Sequence, residues 1–326
     1  MTAPAGVQPR LQTARFAAPD QLKALLLVLV VFGHTYAQGV ADDLSKWIIY
    51  GFHMPAFLFL SGYLIRTERL TARPLGQFLV HYARRMVIAW AVVSVAWLAW
   101  FFPDSFHGIR RFIGDFALNP SFHLWYIPAL FIALVLAWVL SRWRAGIIAL
   151  GIVAVAGYFL FESPLSVALP FAGDWDERYV GYLVFFVLGL AVRNGWVGVP
   201  ALWTRLAAIA VGGALYIAAF WTADPWQVSL GFLALNLGVC LMVPTALDRM
   251  STPLPFAGKP LQLIGEYSLW VYLLHPFVTR LTLVDEGRWI VQRGWGVLVT
   301  LAILVASVLV ILLWKKSPFS RAAGYR

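Results

Sequence analysis

Apolar runs long enough to cross a lipid bilayer recur along this chain, and most of the charged residues fall between them. Hydrophobic residues make up 61% of the 326 residues, and charged residues make up only 12%. A water-soluble domain cannot bury so large an apolar fraction, whereas about twenty apolar residues in a helix span the hydrocarbon core. The sequence therefore predicts an all-α, polytopic integral membrane protein.

About ten transmembrane helices can be drawn through the apolar runs, and we expect them to form one bundle. Their approximate ranges are 21–39, 46–65, 79–102, 123–140, 145–161, 179–192, 203–222, 226–247, 261–280 and 289–314. We expect a cytoplasmic N-terminal tail at 1–19, a transmembrane domain at 20–314 and a cytoplasmic C-terminal tail at 315–326. No cleaved signal peptide and no internal repeat is recognised.

Loop charge predicts the orientation of these helices. With ten spans, the side that holds both termini collects 18 of the 25 Lys and Arg residues. Because basic loops stay in the cytoplasm, we expect a multi-pass protein of the inner (cell) membrane with both termini cytoplasmic. The net charge of +10 is then explained by topology and by contact with membrane lipids, so we expect no nucleic-acid partner.

The first apolar run places a cation and a histidine on one helix face. Pro19 and Asp20 predict the start of this helix, and ten residues without a polar side chain separate Lys23 from His34. Eleven residues turn a helix about 20° past three full turns, so Lys23 and His34 share a face about 16 Å apart. An ionisable group inside a membrane is a functional candidate, although Lys23 can also reach lipid phosphates and His34 can bond a neighbouring helix.

Three further histidines fall near the predicted depth of His34. The rise along each span puts His34, His53 and His275 in the outer half of the bilayer, with His123 close to the same level. Histidine can exchange a proton near neutral pH, so this layer favours proton chemistry on a substrate. A metal site is the other interpretation. No two of these histidines have i, i+4 spacing and no carboxylate accompanies them in the spans, so we expect no metal.

The second span and the loop after it carry the next candidates. Pro55 predicts a kink inside this span, and Ser61-Gly62 predicts a close approach by another helix or a ligand. Five arginines follow on the cytoplasmic side and are called the arginine cluster below: Arg66, Arg69, Arg73, Arg84 and Arg85. Such a run obeys the positive-inside rule, and it is also what a polyphosphate ligand needs.

Five short motifs lie in order along the predicted spans. They are Lys23 to His34, the run from His53-Met-Pro to Ser61-Gly62, Arg84-Arg85, His123-Leu-Trp125-Tyr126, and the run from Tyr267-Ser268 to His275. Together they resemble the integral-membrane acyltransferase 3 family, and within it the fucose 4-O-acetylase-like group. The position of Lys23 is more often Arg in that family.

The resemblance implies an O-acetyltransferase that uses cytoplasmic acetyl-CoA and a carbohydrate-like acceptor. His34 is then the base or a transient acyl carrier, and His53, Ser61 and His275 orient it or stabilise charge on the carbonyl oxygen. The donor phosphates are expected on Lys23 and the arginine cluster. We expect the acceptor near His123, Trp125 and Tyr126.

The resemblance also bears on partners and on rival functions. Many members of the family carry an extracytoplasmic hydrolase-like domain that completes the transfer. None is recognised here, so we expect the chain to act alone or with a separate extracytoplasmic transfer protein, on a carbohydrate or lipid-linked glycan.

A transporter or flippase also uses polar residues at mid-membrane and broken helices. The lack of a recognisable inverted repeat and of intramembrane carboxylates favours the enzyme, and the buried histidines disfavour a purely structural scaffold.

Overall fold

The structure, a computed structural model, describes residues 8–35, 39–120, 123–168, 175–250, 258–282 and 289–316. Within these ranges every regular element is helical and no strand occurs, which confirms the all-α prediction. In chain order the helices are α1 (Gln8–Gly33), α2 (Leu44–Tyr50), α3 (His53–Tyr63), α4 (Thr67–Thr71), α5 (Leu75–Tyr82), α6 (Ile88–Phe101), α7 (Ile109–Ile113), α8 (Tyr126–Leu140), α9 (Arg144–Phe161), α10 (Arg178–Gly181), α11 (Leu183–Arg193), α12 (Leu202–Thr222), α13 (Pro225–Arg249), α14 (Gly258–Glu266), α15 (Ser268–Thr282) and α16 (Trp289–Lys316).

Of the helices in the described ranges, 5 are long and apolar enough to cross a membrane. They are Leu75–Phe101, Arg144–Phe161, Leu202–Thr222, Pro225–Arg249 and Arg293–Val310. The first of these runs through α5 and α6, which one π-helical turn at Ala83–Val87 joins. Helices of this length and composition indicate a membrane protein, because about twenty apolar residues in a helix span the hydrocarbon core. The count of about ten spans is not confirmed and stays a prediction.

The first helix begins before its predicted boundary. α1 starts at Gln8 and carries Pro19 in its interior, so the prediction that Pro19 and Asp20 start the helix is wrong. The residues just before Pro19 are rich in Leu, Gln, Arg and Ala. These strong helix formers outweigh the one backbone hydrogen bond that a proline removes. The predicted boundary between tail and membrane domain therefore falls inside α1.

Three predicted spans are broken in the structure. The second consists of α2 and α3, the sixth of α10 and α11, and the ninth of α14 and α15. Pro55 lies in the first turn of α3, where its missing N–H removes no helical hydrogen bond. The break in the second span falls at Gly51-Phe52 instead, so the prediction of a kink at Pro55 is wrong.

The helices group into two compact units, Met1–His53 with Val243–Arg326, and Met54–Met242. In the first unit α1 packs against α2, α14, α15 and α16. α14 approaches α1 so closely that a Cβ at Gly265 would overlap the backbone of Asp20. The Gln21 amide also donates to the Gly258 carbonyl at 3.4 Å. α1 is therefore the helix around which the first unit is packed.

Glycines set a central helix contact of the second unit. A Cβ at Gly62 of α3 would overlap the Phe186 carbonyl of α11, and a Cβ at Gly189 of α11 would overlap the Phe59 carbonyl of α3. This reciprocal contact confirms the close approach predicted at Ser61-Gly62. Glycine is suited to it because helices in lipid associate through close packing and not through a hydrophobic effect.

Candidate active site

His34 lies just beyond the end of α1, and the prediction that it sits deep inside a helix is wrong. α1 ends at Gly33, a residue type that is unfavourable in helices and common at their ends. The His34 amide donates to the Val31 carbonyl at 3.0 Å, which closes a tighter final turn. The Thr35 hydroxyl donates to the Phe32 carbonyl at 2.8 Å and secures the same turn.

Tyr50 of α2 is a hydrogen-bonding partner of His34. Its hydroxyl lies 3.2 Å from His34 Nδ1 and 3.4 Å from Nε2, and the two rings meet edge-on with centroids 5.8 Å apart. Gly33 makes this contact possible, because a Cβ there would lie 2.8 Å from the Tyr50 ring. The end of α1 is therefore shaped to bring a phenol against an imidazole.

His53 and His275 lie in the same cluster as His34. The ring centroids of His275 and His34 are 5.5 Å apart, and those of His53 and Tyr50 are 5.1 Å apart. Nδ1 of each ring faces the backbone carbonyl four residues earlier, at 2.6 Å for His53 and 3.1 Å for His275. A carbonyl oxygen only accepts, so both Nδ1 atoms carry a proton and Nε2 is the basic nitrogen of each neutral ring.

A buried ion pair holds the start of α2, the helix that carries Tyr50. Asp43 caps α2 by accepting the Lys46 amide at 2.8 Å, and its other carboxylate oxygen pairs with Arg293 of α16. The Asp43 side chain is 2% exposed and that of Arg293 is 12% exposed. Arg293 Nε also donates to the Ser45 hydroxyl at 3.4 Å. α16 therefore anchors the first turn of α2.

Lys46 adds a buried cation to the same helix. It is 7% exposed and lies one turn before Tyr50, so both side chains leave α2 on one face. The charge of Lys46 acts on His34. The cluster of the first unit thus combines an ammonium group, a phenol and three imidazoles, and we call it the histidine cluster.

The predicted residues Ser61, His123, Trp125 and Tyr126 lie in the second unit. The Ser61 and Tyr126 hydroxyls are 3.0 Å apart, so the structure brings these two together. Trp125 is 3% exposed, and the Arg178 guanidinium lies 4.4 Å from the centroid of its ring. His123 is buried as well. Trp125 is therefore fixed beneath a cation and does not offer an open ring face.

Acidic side chains surround the same Arg178 beyond the end of α9. Arg178 binds Asp176 through two hydrogen bonds of 2.6 and 2.7 Å. Burial raises the pKa of Glu162 to about 8; the nearby Arg178 opposes this change, and Asp176 and Glu177 add to it. Glu162 is therefore mostly protonated at neutral pH. Sequence reasoning missed this group, because an acid in a loop normally faces water.

All five members of the arginine cluster, which lies in the second unit, are exposed. Within the described ranges none of them forms an ion pair with a carboxylate. The charges of Arg73 and Arg85 both act on His81 and Tyr82, so these two arginines lie near each other. The arginine cluster is thus open to an anionic ligand. Lys23, in the first unit, is paired with Asp20 at 3.0 Å.

An apolar groove of about 630 Å³ runs along α15 and α16 in the first unit. Trp270 and Leu274 line it from α15, and Trp295 and Ile303 line it from α16. His275 is also part of its wall. One imidazole of the histidine cluster, that of His275, therefore borders an apolar groove.

Sequence reasoning also missed Tyr50, Lys46 and the Asp43–Arg293 pair. The spacing of Lys46 to Tyr50 is a signal that could have found both residues, because residues at i and i+4 share a helix face. Asp43 and Arg293 are 250 residues apart, and no local pattern connects them.

Comparison with known proteins gives one family and one relative. A family model described as an acyltransferase domain (Acyl_transf_3) matches residues 16–314. The nodulation protein NolL of Sinorhizobium fredii is 31% identical over 126 residues, which are 35% of this chain and 34% of NolL. The chain thus matches about a third of the length of that relative. No solved structure matches. The narrower resemblance to the fucose 4-O-acetylase-like group stays a prediction.

Proposed function

The chain belongs to the acyltransferase 3 family, and on that basis we propose that it moves an acetyl group from acetyl-CoA to a hydroxyl of a carbohydrate-like or lipid-linked glycan acceptor. The observation that carries this proposal is the hydrogen bond between Tyr50 and His34, with His53 and His275 beside them. An imidazole held in place by a hydroxyl can accept the proton of an attacking alcohol.

His34 is the proposed base. As the acceptor oxygen bonds to the acetyl carbonyl carbon, His34 takes its proton, the carbon–sulfur bond breaks, and the CoA thiolate leaves and recovers the proton. In the second route, His34 attacks the carbonyl carbon itself and carries the acetyl group as an acyl-imidazole until the alcohol displaces it. Both routes require the His34 ring to be held at a fixed angle, which is the role of Tyr50.

His53 and His275 are proposed to orient the reacting groups. Their Nδ1 protons are engaged by backbone carbonyls, so a neutral ring has no proton on Nε2 to donate to the carbonyl oxygen. The buried Lys46 is better suited to stabilise negative charge on that oxygen, because an ammonium group in a low-dielectric site acts strongly. The role of Ser61 stays a prediction, as do the acceptor contacts of His123, Trp125 and Tyr126; because Arg178 covers the Trp125 ring, we do not propose that the acceptor stacks on it.

The arginine cluster is the proposed site for the phosphates of acetyl-CoA. Guanidinium groups bind phosphate through paired hydrogen bonds, and these five are exposed and lack carboxylate partners in the described part of the chain. Lys23 is proposed to join them by exchanging Asp20 for a phosphate. No metal is part of this proposal.

The proposed donor, acetyl-CoA, also bears on the orientation of the protein in the membrane. Because acetyl-CoA is cytoplasmic and the basic loops share the side of the termini, we propose an inner-membrane protein with both termini in the cytoplasm. A separate extracytoplasmic protein can complete the transfer in this arrangement. A topology reporter fused after Arg326, which lies outside the described residues, should report a cytoplasmic location. A signal from the extracytoplasmic side would contradict the proposal.

Replacement of His34 tests the proposed chemistry. His34→Ala should lower acetyl transfer to membrane glycans by ~10²–10⁴-fold, measured by mass analysis of the glycans, because a general base is lost. His34→Gln can hydrogen-bond but cannot take a proton near neutral pH, so it should be equally inactive. His107→Ala is the control, since His107 is exposed and lies outside the histidine cluster. Full transfer by both His34 variants would refute the assignment.

A further inference from the structure

We propose that Arg293 and Asp43 are positioning residues that hold Tyr50, and through it His34, in the geometry that acyl transfer needs. This inference rests on the proposed function and extends it to α16, whose Arg293 does not itself contact His34 or Tyr50 through the hydrogen bonds described above. Its basis is a continuous series of side-chain contacts within the first unit. Arg293 pairs with Asp43, Asp43 caps α2, and α2 carries Tyr50 to His34.

α2 needs an anchor because it is too short to be stable alone. It has only 7 residues, whereas isolated helices below about 12 residues are marginal in water. A short 3₁₀ turn at Val40–Asp42 precedes it, and the chain turns at Gly51 directly after it. The position of α2 is therefore set by tertiary contacts at its ends.

The Asp43 carboxylate supplies the contact at the first end. One of its oxygens accepts the Lys46 amide at 2.8 Å and caps the helix, while the other pairs with Arg293. Arg293 reaches the same turn again through Ser45, at 3.4 Å. Both charges are largely buried, so removing either partner leaves the other without its counter-charge in a site of low dielectric.

The contact at the second end is the fit of Tyr50 against α1. The Tyr50 ring packs so closely on Gly33 that a Cβ at residue 33 would lie 2.8 Å from it. The Tyr50 hydroxyl is hydrogen-bonded to His34 Nδ1 at 3.2 Å. The two ends of α2 are about 10 Å apart, and a helix of this length moves as one body. A shift at Asp43 therefore moves Tyr50, and Lys46 with it. A misplacement of about 1 Å can cost about 10²-fold in rate.

Three variants separate the ion pair from the cap. Asp43→Asn keeps a good capping residue but loses the charge that Arg293 pairs with. Arg293→Met removes the cation and leaves the Asp43 cap in place. Arg293→Lys keeps a cation with fewer donors. Because Tyr50 and Lys46 move together when α2 shifts, the loss should exceed that from removing the Tyr50 hydroxyl alone. We expect the first two variants to lower kcat by about 10²-fold with little change in KM for acetyl-CoA, and Arg293→Lys to recover most of the activity.

A chemical probe measures the same displacement without using activity. Diethyl pyrocarbonate carbethoxylates imidazole nitrogens, and peptide mass spectrometry reads each histidine separately. We expect His34 to be modified several-fold faster in Arg293→Met and Asp43→Asn than in the wild-type protein, as in Tyr50→Phe. The double variant Asp43→Asn/Arg293→Met should be no worse than either single variant, because the two residues act as a unit. Arg111→Met, which breaks the exposed Arg111–Asp115 pair, should change neither kcat nor the modification rate.

The two readouts keep this inference separate from the proposed function. If His34→Ala is inactive while Arg293→Met and Asp43→Asn keep wild-type kcat and wild-type modification of His34, the positioning role is overturned and the proposed function stands. If the protein transfers no acetyl group, the proposed function fails, and the modification of His34 alone decides whether the ion pair positions Tyr50. A melting temperature in detergent close to that of the wild-type protein shows that each variant is folded.

Discussion

The two units of this protein use their interiors differently. The first unit gathers the buried His53, His275 and Lys46 and the Asp43–Arg293 pair around Tyr50 and the half-buried His34. The second unit joins α3 to α11 through glycine and backbone, and it keeps the arginine cluster on its surface. A substitution in the histidine cluster should therefore change the rate of reaction, whereas one at the glycine contact of the second unit should change stability.

The largest effect is expected where α3 meets α11. Gly62→Val places a branched side chain against the Phe186 carbonyl, and neither backbone can move away without separating the helices. The free energy of unfolding should fall by about 3 kcal/mol or more, measured by thermal unfolding in detergent. Gly76→Val is the matched control in the same unit, because nothing lies within 4 Å of a Cβ at Gly76. Equal melting temperatures for the two variants would show that the glycine contact does not hold the unit together.

The next effect concerns the surface of the second unit. Replacing both Arg84 and Arg85 by Gln should weaken acetyl-CoA binding by ~1–3 kcal/mol per lost charged hydrogen bond, measured by calorimetry. The melting temperature should not change, because both side chains are exposed. Arg111→Gln removes another exposed arginine of this unit and serves as the control. Unchanged affinity in the double variant would assign Arg84 and Arg85 to lipid contact alone.

The smallest effect is expected when the hydroxyl of a single tyrosine is removed, and one tyrosine from each unit is compared. Tyr50→Phe removes the hydrogen bond to His34 and should lower kcat roughly 2- to 12-fold, the equivalent of ~0.5–1.5 kcal/mol, with little loss of stability. Tyr158→Phe removes a 2.7 Å hydrogen bond to the Ser229 carbonyl in the second unit. That variant should lower the melting temperature and leave kcat unchanged. The reverse pattern, with kcat lost in Tyr158→Phe and kept in Tyr50→Phe, would contradict the division of roles between the units.

Local patterns in the sequence were sufficient for the helical class and for part of the site. The rise of a helix relates distance along the chain to depth, so His34, His53 and His275 were expected at one level before any contact was known. The glycine contact at Gly62 also follows from a local signal, because small residues allow helices to approach.

Other features were missed by the sequence analysis. The end of α1 at Gly33 and the break at Gly51 give Tyr50 its position, and each falls at a single glycine inside an apolar run, a weak signal that was not read as a helix end. The Asp43–Arg293 pair joins residues that are 250 positions apart. Pro19 was misjudged because the preference of one residue was weighed without the helix formers before it.

The reciprocal contact of α3 and α11 also determines how the second unit responds to cold. Hydrophobic stabilisation weakens on cooling, because the exposure of apolar surface to water carries a large heat-capacity change. At Gly62 and Gly189 the closest atoms across the contact belong to backbone, so no apolar side chain is buried at these two points. The contribution of the contact to the heat capacity of unfolding is correspondingly small. The packing of these two helices should therefore remain stable at low temperatures, at which a core held together by the hydrophobic effect becomes less stable.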